Sequence, residues 1–285
     1  MDNQGWVAAL SLGILLAALS HSNGREEGPV MKTDGGIRNR VRITVVYDNN
    51  EFDERLETDW GFGCLVEGLE KTILFDTGGK GDLLLANMRK LEIDPAQVEV
   101  VVISHTHADH IGGLAGFLKR NPKVTVYLPR SLRESAKAAV RRSGAELIEV
   151  HDAVKICRGA YSTGELDGGV KEQSLLVETP KGPVLITGCA HPGIVNIVRH
   201  ARRQMDANLY LALGGFHLSG AGVDEIRNIV QELQSLGLQA AAPCHCSGDL
   251  ARRLFREAYG ERYDAAGAGW RLTLQPPQRK AKENN

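Results

Sequence analysis

Within seven residues, Ser104-His105-Thr106-His107-Ala108-Asp109-His110, the chain places three imidazoles and one carboxylate directly after the apolar run Val98–Ile103. Imidazole nitrogen suits divalent ions such as zinc, and aspartate adds a hard oxygen beside it. In an extended segment, side chains two apart point the same way, so His105 and His107 can grip one ion. The chain then turns into a helix, which lets Asp109 and His110 face a second. Ile111-Gly112-Gly113 follows and allows the loop to fold tightly back. A polar loop that happens to be rich in histidine is the bland alternative, and it leaves the crowding unexplained.

The elements that must position these groups are legible from pattern. Val41–Val46, Gly63–Val66 and Thr72–Phe75 read as short strands, with Asp82–Leu91 helical and Pro95 breaking before the strand Val98–Ile103. Strand and helix then alternate: Leu114–Arg120 helical, Lys123–Leu128 extended, Leu132–Arg142 helical, Glu146–Val150 extended. Ser174–Glu178 and Val184–Thr187 flank the turn Pro180-Lys-Gly-Pro183 and form a hairpin. Ile194–Arg203, Val223–Leu236 and Leu250–Tyr259 are helical, interleaved with strands Leu209–Leu213 and Leu238–Ala242. This order predicts an α/β fold with helix-covered sheets. Three further histidines follow strand ends, in Gly188-Cys189-Ala190-His191-Pro192-Gly193, Gly214-Gly215-Phe216-His217 and Pro243-Cys244-His245-Cys246-Ser247-Gly248. With the first cluster, six of nine histidines occupy such loops, and loops at one end of a sheet converge on ligands. His200 inside a helix, His151 beside Asp152 and His21 near the N-terminus read as structural or incidental.

Composition bounds the rest. At 285 residues with 42% apolar and 24% charged content, the chain is an ordinary globular protein. Glycine, at 32 residues, exceeds the roughly 7% usual, as expected for sites built from loops. A net charge of −1 predicts no global pull toward nucleic acid or anionic membrane. Trp6–Leu19 is apolar but short for a membrane span, and Ala18-Leu-Ser20 ends it with small residues. Residues 1–22 therefore read as a secretory signal or anchor, despite lacking early Lys or Arg. An apolar N-terminal helix is the alternative. Residues 23–40 read as a linker, 41–275 as the folded domain and 276–285 as a disordered tail. With a signal the protein is exported, and otherwise cytoplasmic. Five cysteines, Cys64, Cys157, Cys189, Cys244 and Cys246, show no disulfide framework. Three of them sit beside a loop histidine, which favours site chemistry and conflicts with an oxidising destination.

The residues also carry a resemblance. His105-Thr-His107-Ala-Asp109-His110 followed by Gly112-Gly113 resembles the His-x-His-x-Asp-His signature of the metallo-β-lactamase superfamily, and Asp76-Thr77-Gly78-Gly79 after Ile73-Leu-Phe75 resembles its upstream aspartate motif. The resemblance implies a four-layer αββα sandwich with one or two divalent ions at one edge. It implies His105 and His107 for the first ion and Asp109 and His110 for the second. Asp76 would fix a ligand histidine from behind, or else cap its glycine-rich turn. Downstream the chain departs from the common pattern. Glu172-Gln173-Ser174 stands where a His-Thr-x-Gly loop is expected, and Cys189 stands where an aspartate bridges both ions. His191 would supply the missing first-site ligand, and His245 matches the final histidine. Cys189 is a ligand or a small buried filler, and His217 a ligand, a substrate contact or a loop-orienting residue. Cys246 supports the site from outside the ligand set, while Cys64 and Cys157 are structural. Gly-Cys-Ala-His-Pro-Gly, Gly-Gly-Phe-His and Pro-Cys-His-Cys-Ser-Gly resemble the branch related to dihydropterin–ribofuranosylaminobenzene phosphate synthase.

The chemistry expected is hydrolysis by metal-activated water. Zinc is the ion the donors favour, with manganese or iron also compatible. Asp109 would orient the nucleophile or act as base, and His217 or His245 would stabilise developing charge. Helix starts at Gly193 and Ser247-Gly248 suit a phosphate, which favours a small phosphorylated substrate. The branch resemblance implies a transferase as the alternative, and a metal-binding protein without turnover is the third possibility. A nuclease needs a basic groove or an added domain, and neither is visible in the sequence. A small molecule is the expected partner, a membrane only through an N-terminal anchor, and the oligomeric state is left open.

Overall fold

The structure, a computed structural model, describes Met1, residues 30–31 and residues 39–276. The signal or anchor expected at 1–22 lies outside the described residues apart from Met1, as does the tail beyond Pro276. Within the expected linker, Met31 N donates to Gln204 O (2.8 Å). No helix among the described residues is long and apolar enough to cross a membrane.

Two sheets form the centre. The first holds β1 (Val41–Asp48), β2 (Phe62–Glu67), β3 (Ile73–Phe75), β4 (Val100–Val102), β5 (Thr125–Pro129), β6 (Glu146–Val150) and the last strand, β13 (Arg271–Leu274), in the order β13-β1-β2-β3-β4-β5-β6. The second holds β7 (Val154–Cys157), β8 (Ala160–Ser162), β9 (Leu175–Val177), β10 (Val184–Thr187), β11 (Leu211–Gly215) and β12 (Ala240–Cys244), in the order β12-β11-β10-β9-β8-β7. β9 and β10 are the antiparallel pair expected from the turn at Pro180. Neither the β7–β8 hairpin nor β13 stood out in the sequence. They are three or four residues long, too short for a periodicity to declare itself.

Alternation within the strands builds the layers. Ile43, Cys64, Val66, Ile73, Phe75, Val100 and Val102 point from the first sheet into the core between the sheets, where they meet Val184, Ile186, Leu211 and Leu213 of the second. Leu65, Leu74, Val101 and Val126 point outward and pack with Leu84 and Met88 of α1 (Gly81–Lys90), Phe117 of α3 (Leu114–Arg120) and Val140 of α4 (Glu134–Ser143). The one-turn helix α2 (Ala108–Ile111) precedes α3. Leu176, Leu185, Ala212 and Ala241 are covered by α5 (Ile194–Met205), α6 (Val223–Ser235) and α7 (Asp249–Tyr259). Strands buried on both faces read as near-continuous apolar runs, which explains Val100-Val-Val102 and Leu175-Leu-Val177. The result is the expected αββα sandwich.

Phe117 is fully buried at the centre of the first helical layer. Phe117→Ala is expected to lower the unfolding free energy by about 3–5 kcal/mol. In chemical denaturation the midpoint falls with an unchanged slope if the layer keeps its shape around the cavity.

Candidate metal centre

Five strand ends meet at one edge of the sandwich. β3 delivers Asp76, β4 delivers Ser104 to His110, β10 delivers Cys189 and His191, β11 delivers His217, and β12 delivers His245 and Cys246. Non-glycine residues sit in the left-handed backbone region at four of these ends: Asp76 (φ 56°), Ala190 (φ 62°), His217 (φ 53°) and His245 (φ 48°). Such residues cost on the order of 1–3 kcal/mol and persist where surrounding structure fixes them, typically at functional sites. Glycine is required where backbone must pass close. A Cβ on Gly78, itself at φ 64°, would lie 2.3 Å from the Tyr47 ring.

Three groups of potential donors form there, each with its donor atoms within 4.8 Å of one another: His105, His107 and His191; Asp109, His110, Cys189 and His245; and Cys189, His217 and Cys246. In the first, His105 Nε2 lies 3.1 Å and His191 Nε2 3.2 Å from His107 Nδ1. In the second, Asp109 Oδ2 is 3.5 Å from His110 Nε2 and 3.3 Å from His245 Nε2, while His110 Nε2 is 3.2 Å from Cys189 Sγ. The His105 and His110 rings are 4.2 Å apart, so the first two groups are neighbours. All the residues singled out from sequence are gathered here. His151 pairs instead with Glu165 (3.2 Å) and His200 with the Thr163 carbonyl (3.2 Å).

The surrounding bonds decide which imidazole nitrogens face the centre. Asp76, fully buried, accepts from Ser104 N and from the Ser104 hydroxyl, both at 2.7 Å. Because that hydroxyl proton is given to Asp76, Ser104 Oγ accepts from His105 Nδ1–H at 2.8 Å, leaving His105 Nε2 as a lone pair. Asp76 Oδ2 also accepts from His110 Nδ1 (2.7 Å), which leaves His110 Nε2 inward. Thus Asp76 holds two histidines from behind, His110 directly and His105 through Ser104. Asn49 does the same for His245: its Oδ1 accepts from Nδ1 (2.8 Å) and its amide donates to the His245 carbonyl (3.3 Å). His245 Nε2 is buried without a hydrogen bond.

That orphaned nitrogen, among converging imidazole lone pairs and a carboxylate, is the observation that fits these residues to divalent ions. The charge states agree. Burial and the neighbouring imidazoles hold His105 far below the usual histidine range and push His191 down to about 4, so both are neutral. Burial opposes ionisation of Asp109, but the neighbouring His110 and His245 imidazoles outweigh it, and the carboxyl sits well below its ordinary range. Burial likewise disfavours a charged His110, yet Asp76 and Asp109 push it up to about 10, so its Nε2 carries a proton that a bound ion would displace.

Glu172 was not among the candidates from sequence. Its buried carboxylate accepts four backbone N–H groups, from Gly188 (3.1 Å), Cys189 (2.9 Å), Ala190 (3.0 Å) and His191 (2.9 Å). Burial pushes its pKa up, and the amides with nearby His110 pull back down. The next residue, Gln173, donates to the Ile103 carbonyl (2.8 Å) and clamps the second sheet to the end of β4. The position where a ligand-bearing loop was expected therefore holds the β10 loop in shape. Ser247 is a correction of a different kind. Its hydroxyl donates to Cys244 O (2.7 Å) and accepts from Phe216 N (3.0 Å), and Asp249 stands in the first turn of α7. That helix start is unsuited to a phosphate, whereas α5, opening after Gly193, has no acidic residue in its first turn. Trp60, also unflagged, lies 4.9 Å from the His245 ring with 54% of its surface exposed.

A sequence model of the metallo-beta-lactamase superfamily matches residues 64–204. The chain is 26% identical over 284 residues to 7,8-dihydropterin-6-methyl-4-(beta-D-ribofuranosyl)-aminobenzene-5'-phosphate synthase of Methanocaldococcus jannaschii, covering 82% of this chain and 97% of the relative. Among solved structures it is similar to Tm1679, described as a metal-dependent hydrolase of the beta-lactamase superfamily, with 30% identity, a TM-score of 0.71 and 99% of that chain covered by 82% of this one. The short form of human tRNase Z shares the fold, at 14% identity and a TM-score of 0.58 over 82% of this chain and 99% of that one.

Glu172→Gln keeps the side chain's shape but sets an NH2 group against amides that need an acceptor. It is expected to cost about 1.5–3 kcal/mol of stability, the range for hydrogen bonds to charged groups. Denaturant unfolding measures this, and a change under 0.5 kcal/mol would mean the amides find other partners.

Proposed function

Because the chain belongs to the metallo-β-lactamase superfamily, we propose that it is a metal-dependent hydrolase of a small phosphorylated substrate. The observation that carries this is the pair of adjacent donor groups, His105–His107–His191 and Asp109–His110–His245, with Cys189 on the second. Each would hold one divalent ion, zinc by the preference of three imidazoles, with manganese or iron also suited to the carboxylate-containing group. When bound, such ions supply Lewis acidity, which lowers the pKa of water toward about 7 and withdraws charge from an ester oxygen.

The protein's own residues do the rest. Asp109, ionised and half-buried, accepts a hydrogen bond from the attacking water and so orients it. Its depressed pKa suits orientation better than proton capture. Of the two histidines considered for charge stabilisation, His245 is buried among the donors, and His217 stands exposed beside His191 with ring centroids 4.4 Å apart. His217 is the one that faces charge developing on the substrate. Trp60 offers an apolar face at the rim; its backbone N–H donates to the Asp59 carboxylate (2.8 Å), which pairs with Lys80 (2.5 Å). It suits a planar or apolar portion of the substrate.

Similarity to the methanopterin-pathway synthase along 97% of that relative favours a second reading, transfer with a diphosphate leaving group. Incubation with a pterin diphosphate and an aminobenzene riboside phosphate separates the two: a condensed product supports transfer, and hydrolysed esters without condensation support the hydrolase.

Metal analysis coupled to a panel of phosphodiesters, cyclic phosphates and lactones tests the main proposal. His107→Ala and His110→Ala are each expected to lower bound metal and turnover together, and full turnover in the metal-free double variant would overturn hydrolysis by metal. Trp60→Ala is expected to raise KM about tenfold with kcat nearly unchanged, since stacking contributes about 1–3 kcal/mol where measured on bases. A fall in kcat alone would place Trp60 outside ground-state binding.

A further inference from the structure

We propose that Cys189, His217 and Cys246 form a third ion position, whose two sulfurs select a thiophilic ion, beside the imidazole and carboxylate groups already described. The inference goes beyond the hydrolase proposal and does not rest on turnover. The three donor atoms arrive from the ends of β10, β11 and β12 and lie within 4.8 Å of one another. Two thiols and one imidazole are a donor set for zinc and softer ions, with a fourth place left for an outside ligand.

The packing argues against mere filling by these cysteines. Cys64, Cys157 and Cys244 belong to the apolar core between the sheets, while Cys189 and Cys246 belong to none of the three apolar clusters. Both are nonetheless buried, at 3% and 5% exposure, and unpaired by any disulfide. The backbone makes room for their sulfurs. A Cβ on Gly215 would lie 2.6 Å from Cys246 Sγ and 3.2 Å from Cys189 Cα. His217 completes the group from a left-handed backbone position (φ 53°), a conformation a loop histidine adopts only when something holds it there. It is also the exposed member, so the group opens to solvent on the same side as the first two. Cys189 is shared with Asp109, His110 and His245, which couples the new position to the second.

Titration of the metal-stripped full chain with Cd2+, followed by thiolate-to-cadmium absorption in the ultraviolet, tests this. The native chain is expected to reach an absorption corresponding to two thiolates. Cys246→Ser is expected to remove about half of it and one bound ion per chain. His217→Ala, at an exposed position, keeps both sulfurs and weakens the uptake by at least about tenfold. Absorption untouched by Cys246→Ser but lost in Cys189→Ser would overturn the proposal, because the only sulfur in use would then be that of the second group. A Cys189–Cys246 disulfide in the isolated protein, with no cadmium absorption either before or after its reduction, would overturn it as well. Failure of the hydrolase proposal would show as absent turnover with the cadmium absorption intact.

Discussion

The carboxylate of Asp76 is the constraint on which the site depends. It sits fully buried at the end of β3 and is bonded to the backbone and hydroxyl of Ser104 and to His110. Through those bonds it joins two neighbouring strands and sets the protonated nitrogen of two imidazoles. A buried charge with three short donors is stable only while all three remain. The backbone at Asp76, at φ 56°, and the close fit of Gly78 over Tyr47 exist to bring that carboxylate to its partners.

A second buried carboxylate, Glu172, plays the corresponding part on the other sheet. It gathers the amides of residues 188–191 and so fixes both Cys189 and His191. Asp76 holds the β4 loop by one backbone amide and two side chains, and Glu172 holds the β10 loop by backbone amides alone. Gln173 then ties the two halves through the Ile103 carbonyl. The loops that bear the donor atoms are pinned by acids outside the donor groups. This arrangement is what precise positioning of a site requires.

The three donor groups differ in chemistry: one is imidazole alone, one adds a carboxylate and a sulfur, and one sets two sulfurs beside an imidazole. They adjoin one another, with the His105 and His110 rings 4.2 Å apart and the His191 and His217 rings 4.4 Å apart. His105, His110 and His245 lie buried, while His107, His217 and Trp60 reach solvent. On that exposed rim stand Trp60, beside His245, and His217, beside His191.

Much of this was legible in the residues. The spacing of His105, His107, Asp109 and His110 foretold their division into two groups of donors, because backbone periodicity sorts nearby side chains to opposite partners without help from the rest of the chain. Alternating strand and helix segments foretold helix-covered sheets with histidines gathered at one edge, and the resemblance implied the four-layer sandwich. Residues far apart in sequence were another matter. Glu172 and Asn49 look like ordinary loop polar residues, and only folding brings one against four amides and the other against His245. Cys246 looked like a supporting residue until β10 and β12 placed its sulfur beside Cys189 and His217. Local order along the chain fixes which donors can act together over a few residues. The meeting of distant donors, and the proton placement that makes them ligands, is decided by long-range packing that no short stretch of sequence encodes.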